Sequence, residues 1–230
     1  MEDEKGGTKW GTMFRAFMLS APENADLLQA SSWTASNALE HNASYLEEKF
    51  GGWLEGNAVV DPEGRIVNVL RVSFSAVPEK AAIVRISADG REATFDPARD
   101  FVEFPGGCKK FVIRPDPAGG RYWTLSNAIL PAHAGGKVER VRNAAVLMSS
   151  TDLRTWTPHH VALYHPDVAS HGFQYLDWLF EGDDLIVVSR TAFDDGVGGA
   201  ENQHNSNYLT FHRVENFRRH VKSRVELAKE

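Results

Sequence analysis

The stretch AAVLMSSTDLRTWT (144–157) opens on five apolar residues, passes through a polar turn carrying Asp152 and closes on Trp156. A short apolar run bounded by turn residues reads as a buried strand. Working outward, AFMLSAPENADLLQASSWT (16–34), AAIVRISADGREATF (81–95) and NYLTFHRVENF (207–217) share its outline. Taking Phe17, Ile83, Val146 and Leu209 as equivalent gives steps of 66, 63 and 63 residues, the signature of an internal repeat. Between these segments a second unit recurs, two apolar strands joined by a tight polar turn: 57–72 around DPEG, 110–127 around PDPAGG and 174–191 around EGDD. Each reads as a β-hairpin.

Together the two units predict four strands per repeat: a hairpin, a long loop, a third strand, a short Asp-bearing turn, and an outer strand ending in Trp or Phe. The fold class is therefore all-β, a β-propeller of four-stranded antiparallel blades. A β-sandwich of similar strand count would give no reason for long and short connections to alternate in step with the repeat. The 230 residues hold about 3.6 repeats, against roughly 4–8 blades in closed propellers. The chain is thus expected to be a C-terminal portion of a five- to seven-bladed propeller, with Glu2-Asp3 the remnant of a rim loop. Earlier blades would be missing or supplied by another chain, and the open edge predicts self-association. Residues 1–214 form the blades; 215–230, with Phe217, Val221, Val225 and Ala228 at helical spacing, predict a tail or short helix.

A composition 42% hydrophobic and 24% charged suits a domain with a real core. The net charge of −6 argues against nucleic acid or anionic lipid as partner, so an anionic ligand needs a local basic pocket. No apolar run approaches the length of a membrane span, and MEDEKGGTKW at the start is too polar for a secretory leader. One cysteine, Cys108, excludes an internal disulfide or a multi-thiolate zinc site and reads as a buried thiol. No metal or cofactor is implied.

Alternating strand direction puts the short turns on one rim and the long loops on the other, where binding and catalysis usually sit. On the long-loop rim Arg71, Asn127 and Arg190 are expected at equivalent exits of second strands, with Lys109 and Lys110 adding charge. Candidate carboxylates are Glu55, Asp177 and the pair Asp194-Asp195, which also reads as a turn. Asp177 stands out as an ionisable residue in an apolar inner strand, expected to be buried. Tyr175, two residues earlier, would point the same way. His171 and His204 lie in rim loops with Asn205, a set of imidazole and amide donors, and Trp53 or Trp178 offers an aromatic face.

Ser150-Thr151-Asp152-Leu153-Arg154-Thr155-Trp156 resembles the Asp box of the sialidase superfamily, Ser-x-Asp-x-Gly-x-Thr-Trp, one residue short and without its glycine. The strings KWGTMFRAFMLSAPENADLL, GGWLEGNAVV, HGFQYLDWLFEGDDLIVVSRTAFDDG and NSNYLTFHRVENFR resemble a bacterial subgroup of exo-α-sialidase-like glycoside hydrolases, a likeness to the C-terminal part of longer proteins. The resemblance implies a glycan substrate with an acidic sugar held by Arg71 and Arg190, a tyrosine nucleophile at Tyr175 activated by a carboxylate, and a periplasmic or secreted full-length form. It implies a folding role for Asp152, Ser150 and Trp156. The Arg-Ile-Pro motif that carries the first arginine of those enzymes does not occur here. A non-catalytic carbohydrate-binding propeller and a polysaccharide lyase on the same scaffold are the alternatives.

Overall fold

The computed structural model describes residues 10–222; Glu2-Asp3 and the tail from 223 onward lie outside them. The chain divides into two compact units, 10–74 with 81–102, and 75–80 with 103–222.

In the first unit, β1 (Leu19–Ser20) pairs with β2 (Thr34–Ala35), and Ala16 bridges Leu39 beside them. The main sheet runs β3 (Phe50–Val60), β4 (Ile66–Phe74), β5 (Lys80–Ile86), β6 (Ala93–Thr94), all antiparallel, with β7 (Phe101–Glu103) also on β5. Ahead of β3, Leu46, Glu47 and Glu48 have φ of 52°, 55° and 64°. Three successive non-glycine residues in the left-handed region cost on the order of 1–2 kcal/mol each. The turn brings Tyr45 into a ring cluster with Phe50, Trp53, Phe95 and Phe101, at centroid distances of 5.6, 6.3, 5.8 and 5.7 Å.

In the second unit, β8 (Val112–Pro115), β9 (Tyr122–Ser126), β10 (Ala144–Ser150) and β11 (Thr157–Tyr164) form a four-stranded antiparallel meander. This is the strand order of a propeller blade. A second sheet holds β12 (Gly172–Glu181), β13 (Asp184–Ala192) and β14 (Tyr208–Val214), with β14 at its edge. Trp123, Leu125, Leu147, Leu176, Trp178 and Val187 from the two sheets share one core. A 3-10 turn, Phe217–Lys222, follows β14 and drives Phe217 into that core, edge-on to Trp123 at 5.0 Å. Burying such a ring contributes about 1.5–3 kcal/mol, which is why the chain turns inward where a fourth strand would otherwise begin.

Ile83, Val146 and Leu209 fall in β5, β10 and β14, third strands of three different sheets, and Phe17 lies between the Ala16 bridge and β1. The sheets are open ones. The three expected hairpins are β3–β4, β8–β9 and β12–β13. One detail differs from expectation: the aromatic precedes the outer strand rather than ending it, since β11 starts directly after Trp156.

The turn between β10 and β11 is organised by Asp152. Its Oδ1 accepts from the Ser150 hydroxyl (2.9 Å) and from the N–H groups of Arg154 (2.8 Å) and Thr155 (2.7 Å). Burial pushes this carboxyl up, but those hydrogen bonds outweigh it and hold it below the usual range. Leu153 takes φ 62°, the conformation a glycine would supply, while its side chain is buried. Burial offsets the strain, so leucine is tolerated there. Trp156 packs on Phe104 at 4.8 Å.

Candidate functional site

The β11–β12 connection (165–171) and the β13–β14 connection (193–207) meet in the second unit. Gln203 N–H donates to the Ala169 carbonyl (2.8 Å), Ala200 N–H to Phe193 (3.3 Å), and Phe173 N–H to Arg142 (2.9 Å). Gly172 sits at this junction, where a Cβ would lie 2.5 Å from the Gln203 carbonyl oxygen. Glycine is required there by close approach of backbone.

The buried Gln174 ties the loops together. Its Nε2 donates to the carbonyls of Gln203 (2.7 Å) and His204 (3.0 Å) and to Ser206 Oγ (2.9 Å), and its Oε1 accepts from Arg142 Nη1 (3.1 Å). Arg190, half-buried on β13, donates to the same His204 carbonyl at 2.5 Å, and its guanidinium lies 5.0 Å from the centre of the Tyr175 ring. Two guanidinium groups therefore converge through Gln174 and His204. Burial lowers the pKa of His204; its bond to Asn205 works the other way, and the charges of Arg142, Arg190 and the exposed Arg140 lower it further. Arg190 makes no ion pair among the described residues. A half-buried cation with spare donors favours an anion, and its planar fork fits a carboxylate.

Beside this network, His171 Nδ1 hydrogen-bonds Asp167 Oδ2 at 3.0 Å. A carboxylate only accepts, so Nδ1 carries a hydrogen. The buried Nε2 has no hydrogen-bond partner and faces Asp194 Oδ2 at 3.5 Å. His165 stacks on His171 with centroids 3.5 Å apart, and Phe193 meets both rings edge-on. Asp167 is held below the usual carboxylate range by the Ala169 N–H first and by His171 second. The arrangement is an imidazole oriented by one carboxylate, with its second nitrogen next to an exposed one. Among the described residues no group of three or more His, Cys, Asp or Glu could hold a metal ion, and no helix is long and apolar enough to cross a membrane.

The remaining expected residues fall elsewhere. Glu55 and Arg71 belong to the first unit and are each other's partner, Nη1 to Oε2 at 3.1 Å. Cross-strand register corrects the expected equivalence: Val69, Ser126 and Arg190 are the residues opposite Ile83, Val146 and Leu209, so Arg71 and Asn127 stand two and one positions further along. Asn127 is fully buried and its Nδ2 contacts the carbonyls of Arg142, Ala144 and Phe173, a tie between strands rather than a ligand contact. Lys110 is half-buried at the entry to β8. Its neighbour Lys109 is wholly buried in an ion pair with Glu79, and burial lowers its pKa.

Asp177 is not the buried acid expected of it. Its side chain is 59% exposed and pairs with Arg114 at 3.1 Å. A β-bulge sets the four residues Gln174 to Asp177 against three of β13, and Tyr175 within it has φ 52°. Tyr175 and Asp177 are consequently not paired. His204 is half-buried; Asn205 is exposed and bonded to Glu201 (2.7 Å). Asp195 accepts from the N–H groups of Val197 and Gly199, making 194–199 a turn. Trp53 and Trp178 are both buried, leaving neither ring open for stacking. Arg140, Arg142 and Gln174 were missed in the sequence; for the two arginines the signal was the run VERVRN (138–143), three charged residues in a rim loop.

Fold and site thus define an all-β protein of blade-type sheets with a basic and histidine-rich loop cluster at one end of two of them. No protein family and no curated protein matches the sequence. Among solved structures the chain is similar to an α-L-arabinanase of Penicillium chrysogenum complexed with arabinobiose (12% identity, TM-score 0.46, covering 76% of this chain and 49% of that one). It is similar also to the GH93 α-L-arabinofuranosidase of Fusarium graminearum with arabinobiose (11%, 0.46, 76% and 48%). A third is a GH43 β-1,3-galactosidase (12%, 0.41, 79% and 34%). The chain spans about half the length of the first two.

Proposed function

We propose that this chain forms part of a carbohydrate-active β-propeller, a sialidase-like glycoside hydrolase acting on glycans that carry an acidic sugar. The observation that carries the reading is Arg190: a half-buried guanidinium with no carboxylate partner among the described residues, seated on Tyr175 and joined to Arg142 through His204 and Gln174. In this reading the guanidinium fork takes the sugar carboxylate, the amides and imidazole of 202–205 take hydroxyls, and Tyr175 stands beside the anomeric centre as nucleophile. His171, oriented by Asp167 and opposed by Asp194, moves the leaving-group proton. Asp194 and His171 replace Asp177 and Glu55 as the acid–base groups, because those two carboxylates are paired to Arg114 and Arg71.

The lyase reading is favoured by one feature, the unpartnered Nε2 of His171. In a uronate-containing chain that nitrogen would take the proton α to the carboxylate while Arg190 neutralises the charge, and the 4-linked oxygen would leave. Incubation with sialylated and uronate-containing glycans separates the readings. Hydrolysis releases a new reducing end with no ultraviolet absorbance, elimination gives an absorbing unsaturated uronate, and a binding protein yields neither. The hydrolase reading requires release of an acidic sugar that is abolished in His171→Gln; intact glycans after prolonged incubation contradict it.

A further inference from the structure

The acidic-sugar site uses nothing in the first unit, yet that unit contains a cavity of about 380 Å³, within the usual range for small-molecule sites. Its walls come from the loop 39–45, from Trp53 on β3 and from Phe95 after β6. One side is aromatic. The Tyr45 and Phe95 rings, 5.8 Å apart, are half-buried and stand over the buried Trp53.

The other side is polar, and its groups are poised by their own contacts. His41 Nε2 hydrogen-bonds the Phe50 carbonyl at 3.1 Å and the ring stacks on Phe50. Since a carbonyl only accepts, Nε2 carries hydrogen and the neutral ring offers Nδ1 as an acceptor. Asn42 Oδ1 is taken by the backbone and hydroxyl of Ser44 (3.0 and 2.8 Å), which fixes the amide with its NH₂ as donor. The Tyr45 hydroxyl has no hydrogen-bond partner among the described residues. Glu40, the one carboxylate in the lining, is paired with Arg15 at 3.6 Å.

The loop is held in this form at a cost. Leu46, Glu47 and Glu48 all lie at positive φ, closed by hydrogen bonds from Lys49 N–H to Leu46 (3.1 Å) and Phe50 N–H to Tyr45 (3.3 Å). Consecutive strained residues persist where the surroundings over-determine them, and they concentrate at binding sites. Here the strain is what seats Tyr45 against the cavity.

From these features we infer that the cavity is a binding site for an uncharged sugar ring. Aromatic faces suit the apolar face of a pyranose. A hydroxyl, an imidazole acceptor, an amide donor and a carboxylate suit its hydroxyl groups. The lining contains no lysine or arginine to receive a carboxylate, which makes this site complementary in specificity to the Arg190 cluster and independent of it.

Saturation-transfer NMR on the full chain tests the assignment, with methyl β-glucopyranoside, methyl β-galactopyranoside and N-acetylglucosamine as neutral probes and glucuronate as the acidic one. The assignment requires transfer to the ring protons of at least one neutral probe, in the native chain and equally in Arg190→Ala. Ala43→Phe fills the cavity from an exposed position and should weaken that binding at least about tenfold. Tyr45→Phe, which keeps the ring and removes only the hydroxyl, should weaken it about threefold to tenfold, and decides the matter if Ala43→Phe shifts the melting curve. Absence of transfer from all three neutral probes, equal binding in Tyr45→Phe, or stronger binding of glucuronate in Arg190→Ala would overturn it. Loss of acidic-glycan binding alone would leave it standing.

Discussion

Arg218 grips Asp116 across 102 residues of chain, with Nε on Oδ2 and Nη2 on Oδ1, each at 2.8 Å. Asp116 is buried at the β8–β9 turn and also accepts from Ala118 N–H and Trp123 Nε1. The bidentate contact staples the C-terminal 3-10 turn to the second unit and, as its largest cause, lowers the Asp116 pKa. Arg218→Ala should leave that carboxylate buried without its counter-charge and cost about 2–3 kcal/mol of stability. Arg218→Lys should recover part of it, because a point charge keeps attraction but loses the fork. Denaturant unfolding of the two variants measures both.

Leu153 allows a sharper test of how the β10–β11 turn works. Glycine would relieve about 1–2 kcal/mol of backbone strain, but removing a buried leucine side chain costs about 2–5 kcal/mol. Lost packing outweighs relieved strain, so Leu153→Gly should lower the unfolding free energy despite bringing the turn closer to the glycine-containing pattern it resembles. A rise in stability would show that strain, not packing, dominates there.

Three histidines of the second unit make stability fall with acid. Burial lowers the pKa of His159, His204 and His212, in each case as the largest cause. Their folded values lie below the unfolded value of about 6.5, so the unfolded chain binds more protons in that window and stability rises with pH through it. The thermal midpoint should drop as pH is lowered below about 6.5, and His159→Gln should flatten the drop. Carboxylates such as Asp116 add a second loss only nearer pH 4, as their protonation begins.

Cys108 should be inert. Its thiol is buried and pushed up to about 12, by burial first and by the Glu79 charge second. Aromatic disulfide reagents at pH 8 should therefore react only as fast as the native protein opens, and at once in denaturant.

The repeat was legible because it is written in strand-length apolar runs and turn residues, which local sequence controls. Hairpins β3–β4, β8–β9 and β12–β13 follow directly from DPEG, PDPAGG and EGDD. Register was not legible. Second and third strands pair in a different register in each sheet, with Val69, Ser126 and Arg190 opposite Ile83, Val146 and Leu209, so Arg71 and Arg190 only look equivalent when counted along the chain. Asp177 was misread for a related reason: an apolar stretch implies burial on both faces, while its neighbour Arg114 from β8 leaves that carboxylate in solvent as an ion pair. The network of Arg142 and Gln174 was not legible because it is made by contacts 29 to 32 residues apart.

What Arg190 is for is tested most directly by calorimetric titration of acidic and matched neutral glycans into the native chain, Arg190→Ala and Arg190→Lys. If the guanidinium receives a carboxylate, Arg190→Ala should weaken acidic-glycan binding by about 30- to 1000-fold, the loss of one charge-assisted bidentate contact. Arg190→Lys should fall between, neutral-glycan binding should be unaffected, and the melting temperature should hold. Unchanged affinity for acidic glycans in Arg190→Ala, with a lowered melting temperature, would make Arg190 a tie between Tyr175 and the His204 loop and contradict the proposed site.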